Sequence, residues 1–214
     1  MIITHHGGEF VKISRSDTTL AFNPISKESK LSGPKFGADI VLITTADKDF
    51  NGVEQVTYGD RDPFVVFGPG EYEVDKIFIK GIPSISNYGG RERPNTIYIV
   101  TLEGMNICFL GALSYGNSDK HVDMKIFEDI EGIDILFVPI GGDGVLTPAE
   151  AHSVCVKLEA KIIIPIHYKG IGGKDSLKTF LKEVGAEKEK PVQKLTIKKR
   201  DVDGSVGKVV VVSS

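Results

Sequence analysis

Apolar residues fall first into short runs separated by polar turns. Phe10–Ser14 (FVKIS) and Thr18–Pro24 (TTLAFNP) flank Arg15-Ser16-Asp17, which predicts a hairpin. A Ser-, Gly-, Pro- and Lys-rich loop follows, SKESKLSGPKFG. The continuous run ADIVLITT then predicts a strand buried on both faces. FVVFGPGEYEVDKIFIKGI divides into two or three strands at Gly68-Pro69-Gly70 and Val74-Asp75-Lys76, and NTIYIVTLEGMNICFLGA forms a second hairpin around Glu103-Gly104.

The second half alternates strand and helix. HVDMKIFEDI is a weak helix pattern and IDILFVPIGG a buried strand ending in glycines. LTPAEAHSVCVKLEA carries the strongest helix signal: Thr147 at the N-cap, Pro148 next, Glu150 completing a capping box, and Ala151, Val154, Cys155 and Leu158 on one face. KIIIPIHYKG predicts a buried strand stopped by Pro165. DSLKTFLKEVGAE places Leu177, Phe180, Leu181 and Val184 on one helical stripe, with Gly185 as its stop. KLTIKK and KVVVVSS predict closing strands, the first an exposed sheet edge guarded by lysines. Antiparallel strands followed by βαβ-like units predict an α+β fold, two sheets face to face with helices outside. No internal repeat is present.

Composition narrows the function. The 214 residues suit a single domain, 1–214, and 41% hydrophobic with 26% charged residues is ordinary for a globular chain. A net charge of −3 gives no reason to expect nucleic acid or an anionic membrane surface as partner. Cys108 and Cys155 lie in apolar contexts, which predicts core thiols, and no Cys/His cluster suggests a zinc finger. The start, MIITHHGGEF, has no cationic leader or long apolar run, so a cytoplasmic protein is expected.

The order of the strand-end loops carries more information than any one of them. With IDILFVPIGG…LTPAEA, KIIIPIHYKG, FGPGEYEV and GRERPN, the stretch Met1 to Gly170 resembles the metallo-β-lactamase fold. Within it, the chain is similar to zinc-dependent hydrolases such as L-ascorbate-6-phosphate lactonase. The resemblance implies a four-layer αββα sandwich with a metal centre at the strand ends. The family's His-x-His-x-Asp-His motif falls on Thr45, Asp47, Asp49 and Phe50. Its next His falls near Ser86, its bridging Asp on Ala112 and its last His on His167. Its Asp-Pro becomes Asn23-Pro24, and its early Gly-His pair is inverted as His6-Gly7.

Zinc takes about three or four N, S or carboxylate ligands at roughly 2.0–2.3 Å. Phe50 and Ala112 offer no lone pair, and Thr45 and Ser86 are neutral hydroxyls. No metal or other cofactor is therefore expected. The alternative is one weakly held divalent cation on Asp47, Asp49 and His167. Without a metal, water keeps a pKa of about 15.7 instead of about 7. The first expectation is a non-catalytic binding or assembly protein, a pseudoenzyme, whose pocket would include His6, Asn23, Thr45, Asp47, Phe50, Ser86 and Ala112. The alternative is a lactonase- or phosphoesterase-like hydrolase, using that single metal or acid–base chemistry from Asp49 and His167. A third reading is an interaction protein using a C-terminal hairpin as its contact surface.

Each residue also has a plainer role. Asp49 would cap a following short helix, Asp47 would be a solvated loop charge, and His167 a hydrogen-bonded core histidine. Phe50 would fill the space of a metal and its ligand. His5 and His6 would sit near the pocket or in a frayed strand, and His121 and His152 on helix surfaces. Arg91 and Arg93 would meet a small anionic ligand or water. Gly141, Gly142 and Gly144 resemble an anion nest. Partners are otherwise open, oligomerisation included.

Overall fold

The computed structural model describes residues 1–59, 62–114 and 124–213. Alternating and continuous apolar runs sort the chain into two sheets. The first contains β1 (Ile2–His5), β2 (Val11–Arg15), β3 (Thr18–Phe22), β4 (Ile40–Ile43), β5 (Phe64–Phe67) and β12 (Leu195–Thr196), in the order β12-β1-β2-β3-β4-β5. The second contains β6 (Gly70–Val74), β7 (Ile77–Ser86), β8 (Arg93–Leu102), β9 (Met105–Phe109), β10 (Ile135–Pro139), β11 (Ile162–Ile166) and β13 (Lys208–Val209), in the order β13-β11-β10-β9-β8-β7-β6. Both sheets are mixed. β1, β2 and β3 pair antiparallel, whereas β3, β4 and β5 run parallel. β6 to β9 form an antiparallel meander, followed by the parallel β9, β10 and β11.

The inner faces meet in one apolar layer, with Phe22 stacked on Phe109 at 4.8 Å and Phe137 beyond it at 5.5 Å. Tyr98 of β8 is the polar exception in this layer. Its hydroxyl donates to the Ile43 carbonyl (2.9 Å) and accepts the Gly68 N–H (3.0 Å), so one buried phenol ties the second sheet to the ends of β4 and β5. Burial pushes its pKa up to about 12, which keeps the donor proton in place.

α1 (Pro148–Leu158) begins with the expected capping box: the Thr147 side chain accepts the Glu150 N–H, and the Glu150 carboxylate accepts the Thr147 N–H at 2.7 Å. Ala151, Val154, Cys155 and Leu158 are its buried face. α2 (Ser176–Glu183) packs beside it, with Phe180 fully buried. Both cover the outer face of the second sheet. Cys108 and Cys155 are buried free thiols, and burial pushes the Cys155 thiol up to about 12.

The paired sheets with outer cover are the expected sandwich, and on the first sheet's outer face that cover is made by loops and a 3-10 turn (Val53–Gln55). Leu31, Phe36, Val53 and Val56 cover it without helical periodicity, as a Gly- and Pro-rich segment must. β11 runs through Pro165, because β13 pairs only as far as Val209 opposite Ile163 and demands no N–H from residue 165. The closing strands are not a hairpin. β12 edges the first sheet and β13 the second, with α3 (Lys199–Val202) between them. Lys161 and Lys199 both reach Asp134 at 2.8 Å and hold that crossing in place. Of HVDMKIFEDI, a 3-10 turn at Met124–Phe127 is present, and His121 lies outside the described residues. No helix among the described residues is long and apolar enough to cross a membrane.

Removing only the Tyr98 hydroxyl tests the tie between the sheets. Tyr98→Phe leaves two buried backbone groups short of a partner and is expected to lower stability by about 1–3 kcal/mol. Urea unfolding should show this as a lower midpoint at unchanged slope.

Candidate functional site

The strand-end loops converge at one end of the sandwich. Asn23, just after β3, has positive φ (45°), so its side chain turns back under the chain. Its Oδ1 accepts the Thr44 N–H (2.9 Å), and its Nδ2 donates to Thr44 Oγ1 (2.8 Å) and Glu9 Oε2 (2.7 Å). Gly111, after β9, lies so close that a Cβ there would come within 2.5 Å of Thr44 Oγ1.

Glu9 is the residue the sequence reading missed. It precedes β2, is fully buried, and its Oε1 lies 2.6 Å from His167 Nδ1. Two backbone bonds fix the approach: Gly8 N–H to the Lys169 carbonyl and His167 N–H to the Gly8 carbonyl. His167 follows β11 with φ of 61°, and Gly141 makes room for its ring, since a Cβ at 141 would lie 2.6 Å from His167 Cδ2. The two atoms share one hydrogen. Nε2 is buried and has no partner among the described residues. It belongs to a ring bordered by Tyr88, edge-on at 5.3 Å, and Phe50 at 6.0 Å. A carboxylate beside two glycines and directly before a β-rich run was the one available signal for Glu9.

Phe50 occupies the middle of this region. It is fully buried with Ala112 and Val145, and Tyr88 and Ile171 pack against the group. The Tyr88 hydroxyl donates to Asp49 Oδ2 at 2.6 Å. Burial and the Asp49 carboxylate push its pKa well above the ordinary phenol value, so it stays a donor. The Ser29 hydroxyl donates to the other Asp49 oxygen. Asp49 therefore does not cap the 3-10 turn, whose N-cap is Gly52. Asp47 Oδ1 accepts the Asp49 N–H (3.0 Å), and Arg93 holds Asp47 Oδ2 (2.6 Å). Asp47 is therefore no free loop charge, and the anion that Arg93 meets belongs to the protein itself. Arg91 is exposed.

The remaining candidates are structural. Thr45 donates to the Pro94 carbonyl (2.6 Å), and Ser86 Oγ accepts the Tyr88 N–H (3.1 Å). His6 lies away from the cluster, its ring against Phe10 and Phe36 and its Nε2 3.3 Å from Thr4 Oγ1. His5 is buried in β1 between the Gly8 and Val212 carbonyls. Gly144 packs against Asn87, so the glycines after β10 serve close chain approach.

A zinc centre is what the resemblance implies here, and the described residues do not fit one. Both oxygens of Glu9, Asp47 and Asp49 already accept protein donors. Asp47, Asp49 and His167 are not gathered as a ligand trio, for among the described residues no group of three or more His, Cys, Asp or Glu is placed to hold a metal. His167 Nε2 is one ligand where three or four are needed. Tyr88 contacts both Asp49 and His167, its hydroxyl on the carboxylate and its ring edge-on to the imidazole.

Comparison with known proteins supplies the context. The profile of the β-lactamase superfamily domain matches residues 2–167. A UPF0173 metal-dependent hydrolase of Listeria innocua is 34% identical over 199 residues, covering 78% of this chain and 85% of that protein. One from Geobacillus sp. is 26% identical over 196 residues at the same coverage. A Thermotoga maritima structure assigned to the Zn-dependent hydrolases of the metallo-β-lactamase superfamily superposes with a TM-score of 0.74 at 28% identity. It covers 99% of this chain and 97% of that one.

The buried pair is testable by a double-mutant cycle. Glu9→Ala and His167→Ala should each cost about 3–5 kcal/mol, since each strands a buried partner. The double variant should cost about 0.5–3 kcal/mol less than their sum. Phe50→Ala should cost about 3–5 kcal/mol through the cavity it leaves.

Acid stability supplies a second test. Burial lowers the pKa of His5, and burial with neighbouring His5 and Lys12 lowers that of His6 to about 4 from 6.5. Both are neutral in the fold, so nothing is lost above pH 6.5. Below it the unfolded chain binds protons first, and stability falls toward pH 4. His5→Gln with His6→Gln should flatten that slope in pH-dependent melting.

Proposed function

This chain belongs to the β-lactamase superfamily, among the UPF0173 metal-dependent hydrolases, and on that footing we propose that it has left metal-assisted hydrolysis and works as a binding or assembly protein. One observation carries the reading: among the described residues, both oxygens of Glu9, Asp47 and Asp49 meet hydrogen-bond partners in the protein, and Phe50 with Tyr88 packs beside His167. With the donors so committed, nothing lowers the pKa of a water enough to make a hydroxide near neutrality. The likeness to L-ascorbate-6-phosphate lactonase then describes a scaffold and no retained chemistry.

A second reading has its own support. The relatives are named hydrolases, and His167 has the polarity of a general base: a carboxylate on Nδ1 and a bare Nε2. In that reading Glu9 orients His167 to deprotonate a water that attacks a lactone or phosphoester, and Tyr88 and Phe50 move aside to admit it.

The purified protein separates the two after equilibration with zinc, manganese or magnesium. The first reading expects substoichiometric metal by mass spectrometry and no rise in melting temperature, because an ion bound to the fold must stabilise it. It also expects no hydrolysis of lactone, carboxylic ester or phosphoester probes above a His167→Ala blank. About one retained metal equivalent with turnover lost in His167→Ala would overturn it. Metal-independent turnover lost in Glu9→Gln would establish the second reading.

A further inference from the structure

Four strands end the two sheets: β12 and β5 in the first, β13 and β6 in the second. An edge strand offers unpaired N–H and C=O groups to any other chain, and charged side chains are the usual guard. Three of these edges are guarded. β6 exposes Glu71 and Glu73, β12 lies between exposed Lys194 and Lys198, and β13 begins with exposed Lys208. β5 is Phe-Val-Val-Phe with no charge, and Phe64, Val65 and Phe67 are 47%, 41% and 58% exposed.

We propose that β5 is a self-association edge, pairing antiparallel with β5 of a second copy to join two first sheets across a two-fold axis. The inference is independent of whether the chain hydrolyses anything. The backbone gives the register. Phe64 N–H donates to the Asp39 carbonyl, so residues 64 and 66 turn their peptide groups toward β4. Val65 and Phe67 turn theirs outward. A two-fold at Val65 then makes Val65 of each copy donate to and accept from the other. Phe67 N–H of each copy meets the Pro63 carbonyl of its partner. Pro63 has no N–H to return to the Phe67 carbonyl, so the paired stretch ends there and the register carries four inter-chain bonds.

Charge selects a second copy as the occupant. A two-fold pairing sets each strand against itself, so the glutamates of β6, or the lysines at β12, would confront their own copies. β5 pairs with itself without like-charge repulsion, and the chain beyond β13 is already met by Val192, whose N–H donates to the Val211 carbonyl. Tyr98 holds the end of the strand through the Gly68 N–H, so little ordering remains to be done on association.

Sedimentation of the full chain across a hundred-fold concentration range decides the point, with amide hydrogen exchange on the same samples. The wild type is expected to dimerise reversibly, with Val65 and Phe67 amides gaining protection as concentration rises. Val65→Lys places ammoniums directly opposite each other and should weaken the dimer at least about tenfold. Glu73→Lys on the guarded edge should leave it unchanged. A wild type that stays monomeric throughout, a dimer that survives Val65→Lys, or a dimer that leaves the β5 amides unprotected each overturns the proposal. The exchange measurement on wild type stands even where Val65→Lys fails to fold.

Discussion

A carboxylate and an imidazole, both removed from solvent, govern the loop end of this molecule. Taking charges out of water is expensive, and their mutual attraction offsets that only with good geometry and with the remaining lone pairs satisfied. Both conditions are met around Glu9. Its contact with His167 is short, and its second oxygen is held by Asn23, which Thr44 fixes in turn. The pair joins residues 158 positions apart and so clips the start of the chain to the end of β11. Asn23 and His167 hold positive φ there, and Gly141 and Gly111 give up side chains to let the His167 ring and the Thr44 side chain approach. Strain of this kind, on the order of 1–3 kcal/mol per residue, persists only where the surroundings fix it.

Around the pair the loop end is apolar. Phe50, Ala112 and Val145 form an apolar cluster distinct from the layer between the sheets, which contains none of these residues. This separation lets the loop end change chemistry while the sandwich stays upright. Loops on a rigid scaffold carry function because their side chains bear little of the folding energy. The same separation lets the scaffold segments keep their resemblance whatever residues the strand-end loops carry.

Elements with a short sequence period were legible. The α1 capping box, the β2–β3 and β8–β9 hairpins and the lysine-guarded β12 edge follow from neighbouring residues alone. So did the buried state of Phe50, since cores leave few holes. Glu9 was not legible because its partner lies 158 residues away and nothing local marks a carboxylate as buried. Arg93 and Asp47 failed for the same reason: each looked like a solvated charge until the fold brought them to 2.6 Å. The closing strands misled because two short edge segments near in sequence look like a hairpin. Only the Asp134 contacts to Lys161 and Lys199 show why they part into separate sheets.

The filled loop end also resists reopening. An ion approaching His167 Nε2 must displace Phe50 or Tyr88. Exposing a buried aromatic side chain costs about 1.5–3 kcal/mol, and breaking the hydrogen bond from Tyr88 to the Asp49 carboxylate costs a similar amount. Freeing Asp47 would strand Arg93, and freeing Glu9 would strand His167 itself. Among the described residues, each carboxylate recruited as a ligand would thus break a bond already made, and its partner would need a new one.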